Sequence, residues 1–325
     1  MSRQLNRRTA FFAVVFCLCI GSLPEGVARA ETVRIMSFNL WHGGDAGQQP
    51  LKRTIDVIRA AKADVVGLQE THGHAPEGKP RPDRAAEIAS QLGWHYVDQG
   101  QRTGIISRHP ITGVTSKKWG VKVTLNSARE LYVFNCHLAA SPYQPYQLLK
   151  IPYGDAPFIR TEAEAIRYAT KTRGAKISRM LSEIETSVPD GISIAVTGDF
   201  NEPSCLDWTD DAATQQCCPI AVRWPTTRRV LEFGLLDTYR EAHPSVVEHP
   251  GITWTPTTKA SDPNDRHDRI DFVFWGRNGS LAGRVVDCQT VGESSEHAEI
   301  VVEHYPSDHR AVVAEIEFPE IKEAK

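Results

Sequence analysis

The sequence predicts an α/β (or α+β) domain, in which strands and helices alternate along the chain. The nearly continuous apolar run over 192–196, interrupted only by Ser193, is typical of a strand buried on both faces. The segment 33–38 alternates apolar and polar residues, which indicates a strand with one buried face. After Pro50, apolar residues recur at helical spacing over 51–58. No repeat, Pro/Ser-rich linker or charge block divides the sequence, so we expect residues 31–325 to form one domain.

The same periodicities predict the other elements. Further strands are expected, in chain order, over 64–68, 94–97, 104–107, 121–125, 130–136, 270–274 and 311–318. Asn126-Ser127 lies between two of these strands and is typical of a hairpin turn. A helix over 82–92 is expected to end at Gly93, and a later helix is expected to end near Glu185.

The first 30 residues have the pattern of an export signal. A basic start is followed by an apolar stretch over 10–23 and by the small-x-small site Ala28-Arg29-Ala30. The apolar stretch is short for a bilayer span, although a retained anchor is the alternative interpretation. We expect residues 1–30 to be a signal peptide and the mature protein to be secreted or periplasmic, without integral membrane association.

Cleavage would remove four basic residues and one acidic residue, which changes the formal net charge from -3 to -6. An acidic protein has no overall electrostatic attraction for nucleic acid, but a local basic groove can supply one. The composition therefore disfavours a dedicated DNA-repair enzyme without excluding a secreted nuclease.

Five cysteines would remain after cleavage. In an oxidising compartment, Cys205 could form a disulfide with Cys217 or Cys218. The odd number leaves at least one free thiol, and Cys136, inside an apolar strand, is the candidate. No Cys/His spacing predicts a zinc site.

Two long segments are expected to be loops. Residues 141–159 follow His137, and residues 204–229 follow Asp199. Loops of this length in a compact domain are usually functional or disordered. We expect both to border a functional site, with unrelated surface insertions as the alternative.

Polar side chains stand at the ends of the predicted strands. The set comprises Asn39, Glu70, His137, Asp199, Asn201, Asp271, Asp308 and His309. Each alone has an ordinary explanation, such as a capped turn or a solvated acid. Together they match the needs of phosphoester hydrolysis, in which a cation is held, an oxyanion contacted and a water deprotonated.

Short motifs connect these residues in a fixed order. They are Met36-Ser37-Phe38-Asn39, Val65-Val66-Gly67-Leu68-Gln69-Glu70, Gly104-Ile105-Ile106-Ser107-Arg108, Asn135-Cys136-His137-Leu138, Gly198-Asp199-Phe200-Asn201, Arg269-Ile270-Asp271-Phe272 and Ser307-Asp308-His309. In these motifs the chain resembles the endonuclease/exonuclease/phosphatase superfamily, which includes deoxyribonuclease I, apurinic endonucleases, sphingomyelinases and inositol polyphosphate 5-phosphatases. The resemblance implies a four-layer αββα sandwich, with two mixed β-sheets packed face to face and helices outside.

The resemblance also implies a metal site. Glu70 would be the main ligand of Mg²⁺, with Asn39 beside it and Asp308 nearby. A hard cation prefers such oxygen ligands and keeps several waters. Mn²⁺ and Ca²⁺ are the alternative ions.

The implied reaction is in-line attack by water, with no covalent intermediate. Asp199 and Asn201 would orient the water and contact the phosphoryl oxygens, and His309, oriented by Asp271, would contact the phosphate. Either Asp199 or His309 would accept the water's proton. His137 would be the general acid for the leaving group. A histidine there is typical of the deoxyribonuclease I and sphingomyelinase branches, so the chain looks nearer to these than to the apurinic endonucleases.

Two neighbours of the motifs are ambiguous. Asp268 lies close to Asp271 in sequence but does not match the family pattern, and we expect it to pair with Arg269. Trp254 could contact substrate or could pack at the rim of the site.

Three substrate classes stay open. A nuclease could use the tyrosines and Lys150 of residues 141–159 as part of a groove. A sphingomyelinase would need an exposed apolar hairpin, for which 148–153 is a weak candidate. An inositol phosphatase could use the basic residues Arg160, Arg167, Lys171 and Arg173. That stretch is more typical of a solvated helix face.

The sequence thus predicts an exported, monomeric, Mg²⁺-dependent phosphoesterase that acts as a phosphodiesterase. Its partner would be a phosphoester substrate, either nucleic acid, a phospholipid headgroup or a small phosphodiester. A secreted nuclease and a sphingomyelinase-like phospholipase C are the alternatives. A binding protein without activity would require the loss of a catalytic or metal residue, and none is missing from the motifs.

Overall fold

A computed structural model describes residues 30–276 and 283–320. The predicted signal peptide, apart from Ala30, lies outside the described residues. Its cleavage and the secreted or periplasmic location therefore stay predictions.

The strands form two mixed sheets. They are β1 (Glu31–Asn39), β2 (Val65–Gln69), β3 (His95–Gly100), β4 (Thr103–Ser107), β5 (Ile111–Val114), β6 (Gly120–Thr124), β7 (Glu130–His137), β8 (Ser193–Asp199), β9 (Leu235–Asp237), β10 (Asp271–Gly276), β11 (Arg284–Gly292), β12 (Ile300–Val301) and β13 (Ala311–Phe318). One sheet has the order β12-β11-β13-β1-β2-β4-β3, and the other has the order β5-β6-β7-β8-β10-β9. Each combines parallel pairs, such as β1 with β2 and β7 with β8, with antiparallel ones.

The helices lie on the outer faces of the sheets. They are α1 (Leu51–Ala60), α2 (Arg84–Leu92), α3 (Gln144–Leu149), α4 (Glu162–Ser187), α5 (Asp210–Thr214), α6 (Pro225–Glu232) and α7 (Thr238–Ala242). Gly93 ends α2 with φ at 69°, a left-handed conformation that glycine adopts without strain. At the start of α4, Thr161 and Glu164 form a capping box that satisfies free backbone N–H groups.

Three apolar layers hold these elements together. The helices α1 and α2 bury residues such as Ile55 and Ile88 against the seven-stranded sheet, and α4 and α6 cover the six-stranded sheet. Between the sheets lies a third layer that includes Ile35, Val133 and Trp275. The predicted four-layer αββα sandwich is therefore confirmed.

A polar network crosses between the sheets below one edge. Gln69 Nε2 donates to Asn135 Oδ1 at 2.7 Å, and Thr197 Oγ1 donates to the same oxygen at 3.1 Å. Asn135 Nδ2 donates to the carbonyl oxygen of Leu68 at 3.0 Å. Because buried polar groups need partners, this network fixes the positions of β2, β7 and β8 relative to one another.

The structure corrects several predictions about local elements. The strands β5, β9, β11 and β12 and the helix α7 were not predicted from periodicity. Residues 141–159 contain α3, and residues 204–229 contain α5 and the start of α6, so neither segment is wholly a loop. Short elements of this kind bury too few side chains to give a clear periodic pattern.

The cysteines also differ from expectation. Cys136 is buried and free, as predicted, but Cys205, Cys217 and Cys218 are free as well. These three pack in one apolar cluster with Trp208. The expected disulfide is therefore not formed among the described residues.

None of the described helices combines the length and the apolar character needed to span a lipid bilayer.

Candidate functional site

The predicted site residues meet at one edge of the sandwich, where β1, β2, β7 and β8 end. A cavity of about 230 Å³ opens there, and its lining includes Glu70, His137, Asp199, Asn201, Asp308 and His309. Asn39 and Asp271 are buried directly behind Asp199 and His309, respectively. The structure thus brings all eight residues together, while their individual roles stay predictions.

Asp199 is the centre of the hydrogen-bond network. Its Oδ2 atom accepts from Asn39 Nδ2 at 2.9 Å and from Asn201 Nδ2 at 3.1 Å, and its Oδ1 atom accepts from the Asn201 backbone N–H at 2.9 Å. Each asparagine side chain forms a further hydrogen bond that fixes its position. The Trp41 backbone N–H donates to Asn39 Oδ1, and Asn201 Nδ2 donates to the Leu138 carbonyl oxygen. The carboxylate is therefore fixed in orientation before any substrate binds.

His309 lies between two carboxylates. Its Nδ1 atom is 2.9 Å from Asp271 Oδ2, and its Nε2 atom is 3.8 Å from Asp199 Oδ2. Burial alone would lower the pKa of His309, but Asp271 and Asp199 outweigh it and raise the pKa to about 10. Burial raises the pKa of Asp271, and the neighbouring His309 opposes that rise. The surroundings of the ring therefore favour its protonated form.

His137 also lies beside Asp199, with its Nε2 atom 3.4 Å from Asp199 Oδ2. It is the last residue of β7, which pairs with β8 in parallel so that His137 and Asp199 are direct neighbours. The Nζ atom of Lys176 donates to the His137 carbonyl oxygen at 2.6 Å and holds this strand end against α4. The Nε2 atoms of two histidines, His137 and His309, therefore approach the same oxygen of Asp199, Oδ2.

Glu70 and Asp308 supply the carboxylates on the β2 side of the cavity. Burial acts to raise the pKa of Glu70, but nearby His137 and the backbone N–H of His42 lower it below the usual value. Glu70 has a φ of 53° and Asn201 has a φ of 49°, a left-handed conformation that is uncommon for residues other than glycine. Both residues line the cavity.

The residues present fit a hard divalent cation. Asp308 Oδ1 is buried and has no hydrogen-bond partner among the described residues, and burial raises the pKa of Asp308 to about 6. An orphaned carboxylate oxygen near a second carboxylate, Glu70, is what a bound cation would satisfy.

The tightest group of possible metal ligands consists of Asp199, Asp271 and His309, whose ligand atoms lie within 4.8 Å of one another. We favour the Glu70–Asp308 side for the metal, because the His309 ring already faces a carboxylate from each of its nitrogen atoms.

Aromatic side chains form part of the cavity wall, beside His309. Tyr143, Tyr146 and Trp254 pack with ring centroids 5.2 to 6.0 Å apart, and Tyr153 adds an edge 5.7 Å from Tyr146. Tyr153 is 42% exposed, so its ring is accessible from solvent. The segment 141–159 borders the site as predicted, and Trp254 both packs and lines the cavity.

The prediction that residues 204–229 border the functional site was wrong. None of its residues, all of which the structure describes, lines the site cavity. The segment instead packs behind Asp268, whose Oδ1 accepts from Trp208 Nε1 at 3.1 Å and whose Oδ2 accepts from Tyr143 Oη at 2.8 Å. Asp268 therefore supports the aromatic wall from behind.

The predicted pairing of Asp268 with Arg269 was also wrong. Asp268 pairs with Arg266 at 3.1 Å, whereas Arg269 is buried between Asp207 and Asp237, at 2.8 Å from each. Adjacent residues in an extended segment point to opposite sides, which separates Asp268 from the Arg269 side chain.

Some residues of the site were missed by sequence reasoning. Ser307 Oγ donates to the Asn39 carbonyl oxygen at 2.7 Å and fixes the loop that carries Asp308. Thr253 Oγ1 accepts from the backbone N–H of Asp271 at 3.1 Å, and Trp41 and His42 line the cavity. Ser307 could have been noticed because it precedes Asp308, but nothing in the local sequence marks Thr253.

The chain is similar in sequence to known proteins. Residues 36–309 match the family described as the Endonuclease/Exonuclease/phosphatase family. The chain is 30% identical over 319 residues to an uncharacterised protein of Caenorhabditis elegans, F14F9.5, with 91% of this chain and 95% of that protein covered.

Two solved structures are similar in fold. An endonuclease/exonuclease/phosphatase from Beutenbergia cavernae DSM 12333 is 21% identical with a TM-score of 0.55, covering 89% of this chain and 72% of that chain. An AP endonuclease from Archaeoglobus fulgidus is 18% identical with a TM-score of 0.51, covering 87% of this chain and 98% of that chain.

Proposed function

Because the chain belongs to the endonuclease/exonuclease/phosphatase family, whose members hydrolyse phosphoester bonds, we propose that it is an exported, metal-dependent phosphodiesterase. The observation that carries this proposal is the placement of Asp199 between His137 and His309 in one cavity. A carboxylate and two histidines in that arrangement can accept a proton from a nucleophile and donate a proton to a leaving group.

Glu70, Asp308 and Asn39 would hold the metal ion, for which Mg²⁺ is the proposed species. When bound, such an ion supplies positive charge that stabilises the phosphoryl oxygens as negative charge develops. The orphaned Asp308 Oδ1 and the clustered oxygen atoms support this assignment.

The remaining steps belong to the residues of the chain. Asp199, oriented by Asn39 and Asn201, holds a water molecule and accepts its proton as the water oxygen bonds to phosphorus. His309, held by Asp271, donates to a phosphoryl oxygen. The phosphorus–oxygen bond to the leaving group breaks, and His137 gives that oxygen a proton, which yields a phosphomonoester and an alcohol.

Nucleic acid is the substrate class that the site favours. Stacking on aromatic side chains is a general means of binding bases, and Tyr153 and Trp254, which both line the site cavity, offer such surfaces. One structure of the same fold is an AP endonuclease by name, which is compatible with this choice.

The other two substrate classes have less support. Arg173, one of the four basic residues considered for inositol phosphates, is fully buried and donates to Gln144. In the apolar run 148–153, Ile151 is buried against Tyr143 and Tyr146, so the run is not a free hairpin for membrane insertion.

The experiment is a hydrolysis panel with the mature protein, in Mg²⁺ and in EDTA, beside the Asp199→Ala variant. The substrates are supercoiled plasmid, single-stranded DNA, sphingomyelin vesicles, an inositol polyphosphate and bis-p-nitrophenyl phosphate. We expect Mg²⁺-dependent cleavage of DNA and of the artificial diester, lost in Asp199→Ala. Silence on all substrates by folded protein would instead favour a binding protein without activity.

Export is tested separately. N-terminal sequencing of protein secreted by a bacterial host is expected to begin at Glu31. A chain that starts at Met1 and remains with the cells would contradict the signal peptide.

A further inference from the structure

A second and larger cavity, of about 440 Å³, lies next to the site. It is bordered by the turn between β5 and β6, the turn between β3 and β4, the end of β7 and the C-terminal half of α4. His137 lines both this cavity and the site cavity, so the two are separated by the residue proposed to protonate the leaving group. A leaving group that His137 protonates would therefore lie beside this cavity.

The second cavity is lined by four cationic side chains, Lys117, Lys118, Lys176 and Arg179. Glu183 is the one carboxylate in the lining, and its Oε1 accepts from the Lys117 backbone N–H at 2.6 Å. Glu183 thus holds the turn that carries two of the lysines. The excess of positive charge is local, since the whole chain has a formal net charge of -3.

These cations have no partner carboxylate in the described part of the chain. None of the four forms an ion pair with a described acid, whereas Lys122, a few residues along the same hairpin, pairs with Glu130 at 2.8 Å. Like charges gathered around one cavity repel one another unless an anion binds there.

The cavity also has an aromatic surface. Trp119 is half-buried in its wall, and Lys176 Nζ lies 5.8 Å from the centre of the Trp119 ring. Cations combined with an accessible aromatic ring are typical of sites that bind a phosphate and an attached ring or sugar.

From this geometry we infer that the second cavity is an anion subsite, which binds a phosphate carried by the leaving group of the substrate. The inference rests on the proposed phosphodiesterase function and names its substrate class more closely: a diester whose leaving group bears a second phosphate. A nucleic-acid strand and a phosphorylated polyol both have this chemistry.

The test compares two isomeric dinucleotides, thymidylyl-thymidine with an added 5′-phosphate and the same molecule with an added 3′-phosphate. They have equal charge, but only one carries the extra phosphate on the nucleoside that is released, and product analysis shows which one. We expect kcat/KM for that isomer to exceed that of the other about tenfold or more, the gain of one charge-assisted contact. A second arm compares kcat/KM for glycerophosphoinositol with kcat/KM for glycerophosphoinositol 4-phosphate, which carries the extra phosphate on a polyol.

The variant Lys118→Gln/Arg179→Gln removes two exposed cations without touching the site cavity. It is expected to reduce the ratio of kcat/KM between the two isomers to about twofold or less, because the charge-assisted contacts are lost. The kcat/KM for thymidylyl-thymidine itself should not change. Lys118→Arg/Arg179→Lys should keep the gain. The control variant Arg59→Gln/Lys62→Gln removes the same charge from exposed positions outside both cavities and should have no effect on the ratio.

A higher kcat/KM for the phosphate-bearing substrate in either arm, lost in the Lys118→Gln/Arg179→Gln variant, supports the subsite. The arm that shows this increase identifies whether the phosphate comes from a nucleic-acid strand or from a phosphorylated polyol. Metal-dependent cleavage with no gain, or a gain that survives in the cavity variant, overturns the subsite and leaves the proposed function intact. Absence of all phosphodiester cleavage overturns both.

Discussion

Asp199 is the residue through which the other polar side chains of the site are connected. Asn39, Asn201, His137 and His309 all lie within hydrogen-bond or ion-pair distance of its carboxylate. Since both asparagines donate to the same carboxylate, its orientation does not depend on bound substrate. Preorganised groups of this kind avoid the cost of reorganising when charge develops.

Replacing His137 by Gln should slow hydrolysis to an extent that depends on the leaving group. A nucleoside alkoxide needs a proton as it leaves, whereas p-nitrophenolate does not. We expect kcat for thymidylyl-thymidine to fall about 10²–10⁴-fold, the usual contribution of a general acid, and kcat for bis-p-nitrophenyl phosphate to fall much less. Equal losses on the two substrates would rule out His137 as the general acid.

Replacing Asp271 by Asn should remove the charge that holds His309. The Asp271 Oδ2 atom lies 2.9 Å from His309 Nδ1, so the neutral amide would neither stabilise the protonated ring nor fix its orientation. We expect kcat to fall about 10²–10⁴-fold, as in other carboxylate–histidine pairs. The exposed change Asp190→Asn is the control, and an Asp271→Asn enzyme with normal kcat would refute the role.

At the scale of secondary structure elements, the site depends on the distance between the sheets. Gly67 in β2 faces the network of Asn135 and Thr197, and a Cβ atom there would collide with Thr197 Oγ1 and lie 2.7 Å from Asn135 Oδ1. Gly67→Ala should therefore destabilise the fold by about 1–3 kcal/mol, the usual cost of overpacking. Urea unfolding measures this change in free energy.

The matched control is Gly113→Ala, where the nearest atom would be Lys122 Cβ at 3.4 Å, an ordinary contact. Its stability should change by less than about 1 kcal/mol. If both glycine variants lost the same stability, the contact between the sheets at Gly67 would not be the cause.

A buried ion-pair network joins β9, β10 and the segment before α5. Arg269 is held by Asp237 and Asp207 and is almost fully buried. Asp237→Asn should lower the free energy of unfolding by about 3–5 kcal/mol at pH 7, because it leaves a buried charge partly uncompensated. The exposed substitution Asp155→Asn should have little effect.

The same substitution should change how stability depends on pH. Burial acts to raise the pKa of Asp237, but Arg269 lowers it below the usual value. A carboxylate of this kind stabilises the fold above its unfolded pKa of about 3.9, and this stabilisation is lost as pH falls through the folded pKa. The stability difference between wild type and Asp237→Asn should therefore shrink below about pH 4; a constant difference down to pH 2 would contradict it.

The strands that carry the site could be predicted because their signals are local. The run 192–196 is apolar except for Ser193, and Asp199 follows it within the same segment, so strand and functional residue were found together. The partners of Arg269 could not be predicted, because Asp207 and Asp237 lie 62 and 32 residues away in sequence. Their pairing depends on how separate elements pack.

At the scale of the whole molecule, the cationic cavity could not be predicted from the sequence either. Lys117, Lys118 and Trp119 are adjacent in sequence, but Lys176 and Arg179 come from a helix that only the fold brings beside them. An overall negative charge therefore gave no indication of a local cationic surface. The fold places this surface and the aromatic wall in adjacent cavities that share His137.

The most direct test of the site is a Mg²⁺ titration of bis-p-nitrophenyl phosphate hydrolysis by the mature wild type, Glu70→Gln and Asp199→Ala proteins, with folding checked by circular dichroism. We expect wild-type turnover to require Mg²⁺, Glu70→Gln to need at least about tenfold more Mg²⁺, and Asp199→Ala to stay inactive at every concentration. Turnover by wild type that is equal with and without EDTA, or full activity in Asp199→Ala, would contradict a metal-dependent phosphodiesterase built on this cavity.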